Sequence, residues 1–368
     1  MKQIVNISRI VVGALFIFSG LVKAIDPLGL AYKMQEFFEA WASGGFLPGL
    51  MGWFNEQALL FSILMITLEV VLGVALLLGW RKNMVSWLLL LLMLFFTFLT
   101  SYVLFSGKIR ACGCFGDCIP LTALQTFTKD IILLVLVLLI LAGRKYIKPV
   151  FSDNLNVILF LTSLFAVLGL QMYVLKHLPV KDCLPFKPGN NILELRKMPA
   201  DGVPDKFDYS FIYSKNGEKK EFTVDALPDS SWEFVDRKQV LVEKGKNNIP
   251  LINDFILKTE SGIDSTEAIL SQSGDYFLLF AKDFDNDNDS WYAGFKSFYA
   301  SSKNNVYLVT GNPTKAKELI NVQGLPILVC DVTAIKTAAR VNPTLFLMTG
   351  PVIKGKWAAT DYFKTHNK

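Results

Sequence analysis

NMVSWLLLLLMLFFTFLTSYVLFS, residues 83–106, runs for 24 positions without a charged side chain. As a helix it is long enough to cross a hydrocarbon core of roughly 30 Å, which takes about 20 residues. Four further stretches near 4–24, 58–80, 125–147 and 154–176 read the same way. The first begins after Lys2 and has the outline of a signal peptide, but Arg9 interrupts it and more spans follow, so it is expected to be retained. Working outward, the chain of 368 residues is 52% hydrophobic with 29 Phe, too apolar for an ordinary soluble protein. After residue 176 it becomes rich in Lys, Asp, Asn and Ser and alternates like a soluble domain. Two modules are expected. The formal charge of +5 is not gathered into basic runs, so nucleic acid is not an expected partner.

Short cytoplasmic loops carry the Lys and Arg excess. Arg81 and Lys82 follow the second span, and Arg144, Lys145 and Lys148 follow the fourth. Both loops are therefore expected inside, with a cytoplasmic amino terminus. Loops 25–57 and 107–124 and everything after 176 then lie outside, which in a bacterium is the periplasm; Lys108 and Arg110 break the pattern.

Loop 107–124 holds Ala-Cys-Gly-Cys-Phe-Gly-Asp-Cys-Ile, residues 111–119, with three of the five cysteines. Cys183 follows the fifth span closely and belongs near the same face. Outside the cytoplasm a thiol pair can become a disulfide and exchange electrons. Three readings compete. Two of the cysteines form a structural staple; or Cys112, Cys114, Cys118 and Cys183 hold a metal, against which stands the absence of paired zinc-type spacings, so none is assigned; or the site is a thiol redox centre. The redox reading is preferred, because a short ring between Cys112 and Cys114 would be strained and labile, while Gly113 and Gly116 free the backbone for Cys114 to pair with Cys118. Cys330, inside an apolar run, is expected to be a buried strand residue. Glu69, near the middle of the second span, is a functional candidate or a structural hydrogen-bond partner between helices. Lys23 and Asp26 with Lys129 and Asp130 are expected to form an interfacial ion-pair cluster near the cysteine loop, with Lys23 snorkelling. The amphipathic stretch within residues 28–57 is expected along the interface, over the bundle.

Arg9, Gly13, Ser19-Gly20, Lys23, Asp26-Pro27, Glu69, Gly73, Gly79, the cysteine run and Thr128-Lys129-Asp130 make the first 150 residues resemble the DoxX and MauE group of four-helix membrane proteins. The resemblance implies a role in forming disulfides in a periplasmic enzyme, or in sulfur or redox metabolism. By architecture the bundle also resembles quinone-linked bundles of the DsbB and VKOR kind, which implies a membrane quinone as electron acceptor, although no motif marks its site.

Residues 191–247 alternate in short segments, Phe207 to Tyr213 and Glu221 to Val224, joined through Lys-Asn-Gly, as a small β-rich region. From 248 to 368 strand and helix signals alternate: strands at 254–257, 276–280, 306–310 and 344–348, and a helix at 291–301. With Asn342-Pro343-Thr344 where a cis-proline precedes an edge strand, and Gly350-Pro351 in a hairpin, this part resembles thioredoxin-like domains of the TlpA type. A working thioredoxin has Cys-x-x-Cys where this chain has Asp285-Asn286-Asp287-Asn288-Asp289-Ser290, so no dithiol is available there. That acidic run lacks the Gly and Glu of a calcium loop.

The expected architecture is an α-helical membrane bundle, four helices of the DoxX/MauE kind over 1–150 plus a fifth anchoring helix and linker over 151–190. A β-rich segment (191–247) and a periplasmic α/β thioredoxin-like domain (248–368) follow. The expected function is a bacterial inner-membrane thiol-disulfide redox protein with five spans and a periplasmic or membrane protein client. In it Cys114 and Cys118 exchange, Cys112 resolves, Cys183 relays and Glu69 moves a proton. The competing reading is a non-catalytic scaffold whose loop cysteines are structural and whose outer domain binds a client.

Overall fold

The computed structural model describes residues 1–109, 113, 115–284 and 291–366. Cys112 and Cys114, and the Asp285 to Ser290 run, lie outside the described residues.

Among the described residues, five helices are long and apolar enough to cross a membrane: α1 (Lys2–Ala24), α4 (Ala58–Leu78), α5 (Lys82–Ser106), α6 (Ala123–Ala142) and α7 (Asp153–Lys176), and the protein is a membrane protein. Between α1 and α4 lie α2 (Pro27–Ser43) and α3 (Pro48–Glu56). Local chemistry sets several of these ends. Asp26 caps α2 by accepting from the Gly29 amide at 3.0 Å, with Pro27 at the first helical position. Thr122 and Gln125 form a reciprocal capping box at the start of α6. Gly79 closes α4 at φ 69°, a conformation open to glycine.

Lipid tails are as apolar as leucine, so helices inside a bilayer associate through close packing and polar contacts. Small residues let α1 and α4 approach: a Cβ on Gly73 would sit 2.9 Å from the Gly13 carbonyl oxygen and from Ile17 Cγ1. At the amino-terminal end of α1, Arg9 donates from Nε to the Leu76 carbonyl at 2.8 Å and from Nη2 to that of Leu77. It thus satisfies carbonyls that the end of α4 leaves without intrahelical partners. The core of the bundle gathers Val12, Phe16, Leu72, Leu76, Leu89, Met93 and Val137. The fifth span docks on α4 with a buried hydrogen bond from Gln171 Nε2 to Thr67 Oγ1, 3.0 Å.

Beyond the bundle, α8 (Ile192–Leu195) precedes β1 (Lys206–Lys215), β2 (Glu218–Thr223) and β3 (Glu233–Glu243), an antiparallel sheet of order β2-β1-β3. The β1–β2 turn is Asn216-Gly217, both at positive φ, as a two-residue hairpin requires. The third strand was not expected; all its residues are exposed, so no burial pattern announces it.

Then come α9 (Thr266–Leu270), β4 (Asp275–Phe280), α10 (Trp291–Ser301), β5 (Asn305–Thr310), α11 (Pro313–Ile320), β6 (Ile327–Val329), α12 (Val332–Ala338), β7 (Thr344–Thr349), β8 (Val352–Ala358) and α13 (Ala359–His366). The sheet order is β6-β5-β4-β7-β8, parallel from β6 to β4 and antiparallel through β7 and β8. This is the strand order and helix placement of a thioredoxin-like domain. Side chains alternate across a strand, and both faces of β4 are covered: Tyr276, Leu278 and Phe280 enter one core, Phe277 and Leu279 the other.

Four expectations change here. Residues 254–257 form no strand; Phe255 and Leu257 are buried as coil, and only the next residue, Lys258, forms bridges, to Asp264 and Val329. The Asn342-Pro343 bond is cis, but β7 after it lies between β4 and β8 rather than at an edge. Finally, Phe186 and Ile192 are buried in the same core as β4, and the Gly189 amide donates to the Ile353 carbonyl at 2.8 Å. The stretch expected as a linker is thus woven into the thioredoxin-like domain. Cys330 is buried, one residue past β6 rather than within it.

Candidate thiol site at the junction of the two domains

Cys118 is disulfide-bonded to Cys183, with Cα atoms 4.9 Å apart across a sequence separation of 65. The expected Cys114 to Cys118 pairing is therefore replaced: α6 and α7 are successive spans, α7 packing against α4, and together they return the chain to the end of the bundle where the loop begins. The bond lines a narrow crevice together with Asp26, Gly29, Lys33, Asp117 and Asp182. α2 covers this loop, as a Cβ on Gly113 would lie 3.1 Å from Lys33 Cγ.

The residue before each bonded cysteine is an aspartate, and each aspartate is held by a cation from the thioredoxin-like domain. Arg340, just before the cis-proline, donates from Nη2 to Asp117 Oδ2 and from Nε to Asp26 Oδ2, both at 2.7 Å. Its remaining nitrogen donates to the Lys336 carbonyl at 2.7 Å, which fills the guanidinium fork. Lys356 on β8 donates to Asp182 Oδ2 at 2.6 Å and to the Phe186 carbonyl at 3.0 Å. The Arg340 and Lys356 side chains are 7% and 2% exposed, so both cations are buried, while Asp117 at 39% keeps its carboxylate in reach of water. Burial works against the charge on Arg340, yet Asp26 and Asp117 hold its pKa above the ordinary value. For Lys356 burial prevails over the attraction of Asp182, and its pKa is lowered.

Tyr32 on α2 completes the junction. Its ring lies 5.0 Å from Lys336 Nζ and 5.3 Å from the Arg340 guanidinium carbon, and its hydroxyl is 3.3 Å from Lys282 Nζ. Asn342 fixes the chain after β4, accepting from the Lys282 amide at 2.7 Å and donating to the Asp283 carbonyl at 2.8 Å. The end of β4 and the cis-proline loop of the thioredoxin-like domain thus face the membrane bundle.

Below the loop, Lys23 and Glu69 form a buried pair at 2.5 Å, with Lys23 Nζ also 4.9 Å from the Phe96 ring. Lys23 does not snorkel. It is 3% exposed, because Glu69 offers an opposite charge inside the bundle. Lys129 pairs with buried Asp130 at 2.8 Å and lies 4.7 Å from the Phe115 ring of the cysteine loop. The expected ion cluster is therefore divided: Asp26 turns to Arg340, Lys23 to Glu69. Arg340, Lys356 and Tyr32 were not candidates from sequence, since nothing local indicates that a cation 223 residues away will meet Asp117.

Residues 1–143 match the family described as methylamine utilisation protein MauE, and residues 207–244 match a domain of unknown function. Protein TlpB of Flavobacterium psychrophilum is 33% identical over 128 residues, a stretch that spans 34% of this chain and 32% of that relative. The chain thus aligns with about a third of the relative's length. No solved structure matches the chain. The amino-terminal part, residues 1–143, is accordingly similar to the MauE membrane family, and it is joined here to a domain with the strand order of thioredoxin-like proteins.

Proposed function

We propose that this protein is a thiol-disulfide oxidoreductase of a bacterial inner membrane, with a cytoplasmic amino terminus and a periplasmic thioredoxin-like domain. The observation that carries the proposal is the Cys118–Cys183 bond in a charged crevice at the mouth of the bundle, a few residues from two further cysteines. In the exchange, Cys114 as thiolate attacks Cys118 Sγ. The bond to Cys183 breaks, a Cys114–Cys118 bond forms, and Cys183 leaves as a thiolate that takes up a proton. Cys112, as the transfer thiol, then attacks Cys114 Sγ and releases Cys118. A thiolate of a periplasmic or membrane protein client attacks the resulting Cys112–Cys114 bond at Cys112, releasing Cys114, and the client's second thiolate resolves the mixed disulfide, releasing Cys112. Over the cycle the client dithiol gives up two electrons and two protons to become a disulfide.

A membrane quinone, when bound, would accept those two electrons and two protons. An apolar groove along α1 and α6, lined by Val11, Leu15, Ile132 and Leu136 and ending at Gln125 and Thr128, fits an isoprenoid chain with a polar head. Lys129 links that end of the groove to Phe115 of the cysteine loop. Glu69, whose charge Lys23 balances, is the group proposed to hold and return a proton. The bilayer is the protein's medium.

A second reading, a scaffold with a structural disulfide, is favoured by the tight clamp on Asp117 and Asp182 and by the missing Cys-x-x-Cys. Mass-resolved alkylation across a series of glutathione potentials separates the two. Exchange predicts that Cys118 and Cys183 become alkylated together above about −300 mV, where resistant structural disulfides lie below. It also predicts mixed disulfides with clients in Cys183→Ala. Bridges that stay closed throughout the series would sink the oxidoreductase in favour of the scaffold.

A further inference from the structure

We infer that the thioredoxin-like domain, which lacks its own dithiol, completes the membrane thiol site in cis through Arg340 as a positioning residue, paired on the other cysteine by Lys356. The inference rests on the redox reading above and adds to it a residue from the other domain.

Both halves of the disulfide have the same local build: an aspartate precedes the cysteine, and a buried cation from the thioredoxin-like domain binds that aspartate. Arg340 does so through the fork that suits two carboxylates at once. The carboxylates of Asp26 and Asp117 converge over Gly29, where a Cβ would lie 2.8 Å from Asp26 Oδ2 and 3.4 Å from Asp117 Oδ2. Glycine at 29 leaves room for that convergence. The face that docks includes the cis-proline loop and the end of β4, the surface on which a thioredoxin fold with its dithiol would present it. Here that surface is spent on the chain's own membrane domain.

The chemistry follows from charge. Once the bond is reduced, a Cys118 thiolate stands beside Asp117 and near Asp26, which disfavour it, and Arg340 offsets them. The charged groups around the bond, among the described residues, are Asp26 and Lys33, Asp117, Lys181 and Asp182, and Arg340 and Lys356. Removing Arg340 tips this set toward negative and deprives Cys118 of thiolate. The clamp also fixes the loop, so the sulfur is presented in one orientation.

The test uses the full chain in lipid nanodiscs, reduced with excess dithiothreitol, and follows the alkylation rate of Cys118 by mass as a function of pH. Arg340→Gln is expected to raise the midpoint by about one pH unit and slow alkylation at neutral pH roughly tenfold. Arg340→Lys, which keeps the charge, is expected to stay within about half a unit of the parent. Asp117→Asn is expected to move the midpoint the opposite way, and it decides the matter should Arg340→Gln fail to fold. A purely structural Arg340 would lower thermal stability while leaving the midpoint where it was. An unmoved midpoint in folded Arg340→Gln, or in Asp117→Asn, overturns the inference. Because reduction is forced, this outcome is independent of whether the bond exchanges at glutathione potentials, which alone decides the oxidoreductase reading.

Discussion

Replacing Glu69 by Gln isolates the energetics of the buried pair in the bundle. The Lys23 side chain is 3% exposed and that of Glu69 5%, with 2.5 Å between Nζ and Oε2. Removing one partner strands the other charge inside the bundle, which costs about 3–5 kcal/mol, whereas replacing both by apolar side chains of similar size is about neutral. Glu69→Gln and Lys23→Met should each destabilise by that amount, and Lys23→Met with Glu69→Leu should recover most of it. The cycle then gives a coupling near the size of a single loss or larger. For a domain of this size, 3–5 kcal/mol corresponds to a fall in melting temperature of about 6–20 °C. The assay is unfolding of the full chain in mild detergent, by heat and by rising mole fraction of dodecyl sulfate. A loss below about 1 kcal/mol for Glu69→Gln, with strictly additive double-variant effects, would refute the reasoning. It would mean that Lys23 reaches water in solution and the pair carries no stability.

Two further outcomes follow from the packing. Gly73→Ala should destabilise by about 1–3 kcal/mol, because the new Cβ meets the Gly13 carbonyl at 2.9 Å and backbone cannot step aside. Gly169→Ala in α7, where nothing lies within 4 Å, should be neutral or stabilising in the same unfolding assay. Cys330, whose thiol burial pushes up to about 12, should resist iodoacetamide in the folded protein at pH 8. The unfolded thiol ionises near 8.5, so the stabilising contribution is complete below that pH and is lost as pH rises toward 12, by at most about 1.4 kcal/mol per unit. Denaturation midpoints of the parent should therefore fall more steeply above pH 8.5 than those of Cys330→Ala, and parallel profiles would contradict the assignment.

The sequence by itself determined the features whose cause is local. An uncharged run such as residues 83–106 has one low-energy fate in a membrane, and α5 spans Lys82–Ser106. Asn216-Gly217 dictates its hairpin, and the doubly covered β4 reads as a continuous apolar run. Patterning failed where burial and secondary structure part company. β3 is exposed along its whole length, and Phe255 and Leu257 are buried in alternation with exposed Asp254 and Ile256 although 254–257 form no strand. Only the tertiary structure decided the site. Which sulfur Cys118 would meet depends on where α6 and α7 return the chain, and spacing alone favoured Cys114 over a partner 65 residues away. Whether Lys23 points to water or to Glu69, and whether Asp117 and Asp182 stand free or are gripped by Arg340 and Lys356, are equally settled by which surfaces the fold brings together. Charges carry no label for their partner. The residues that complete this crevice come from separate regions of the chain, and only close packing of the two domains gives them one place and one chemistry.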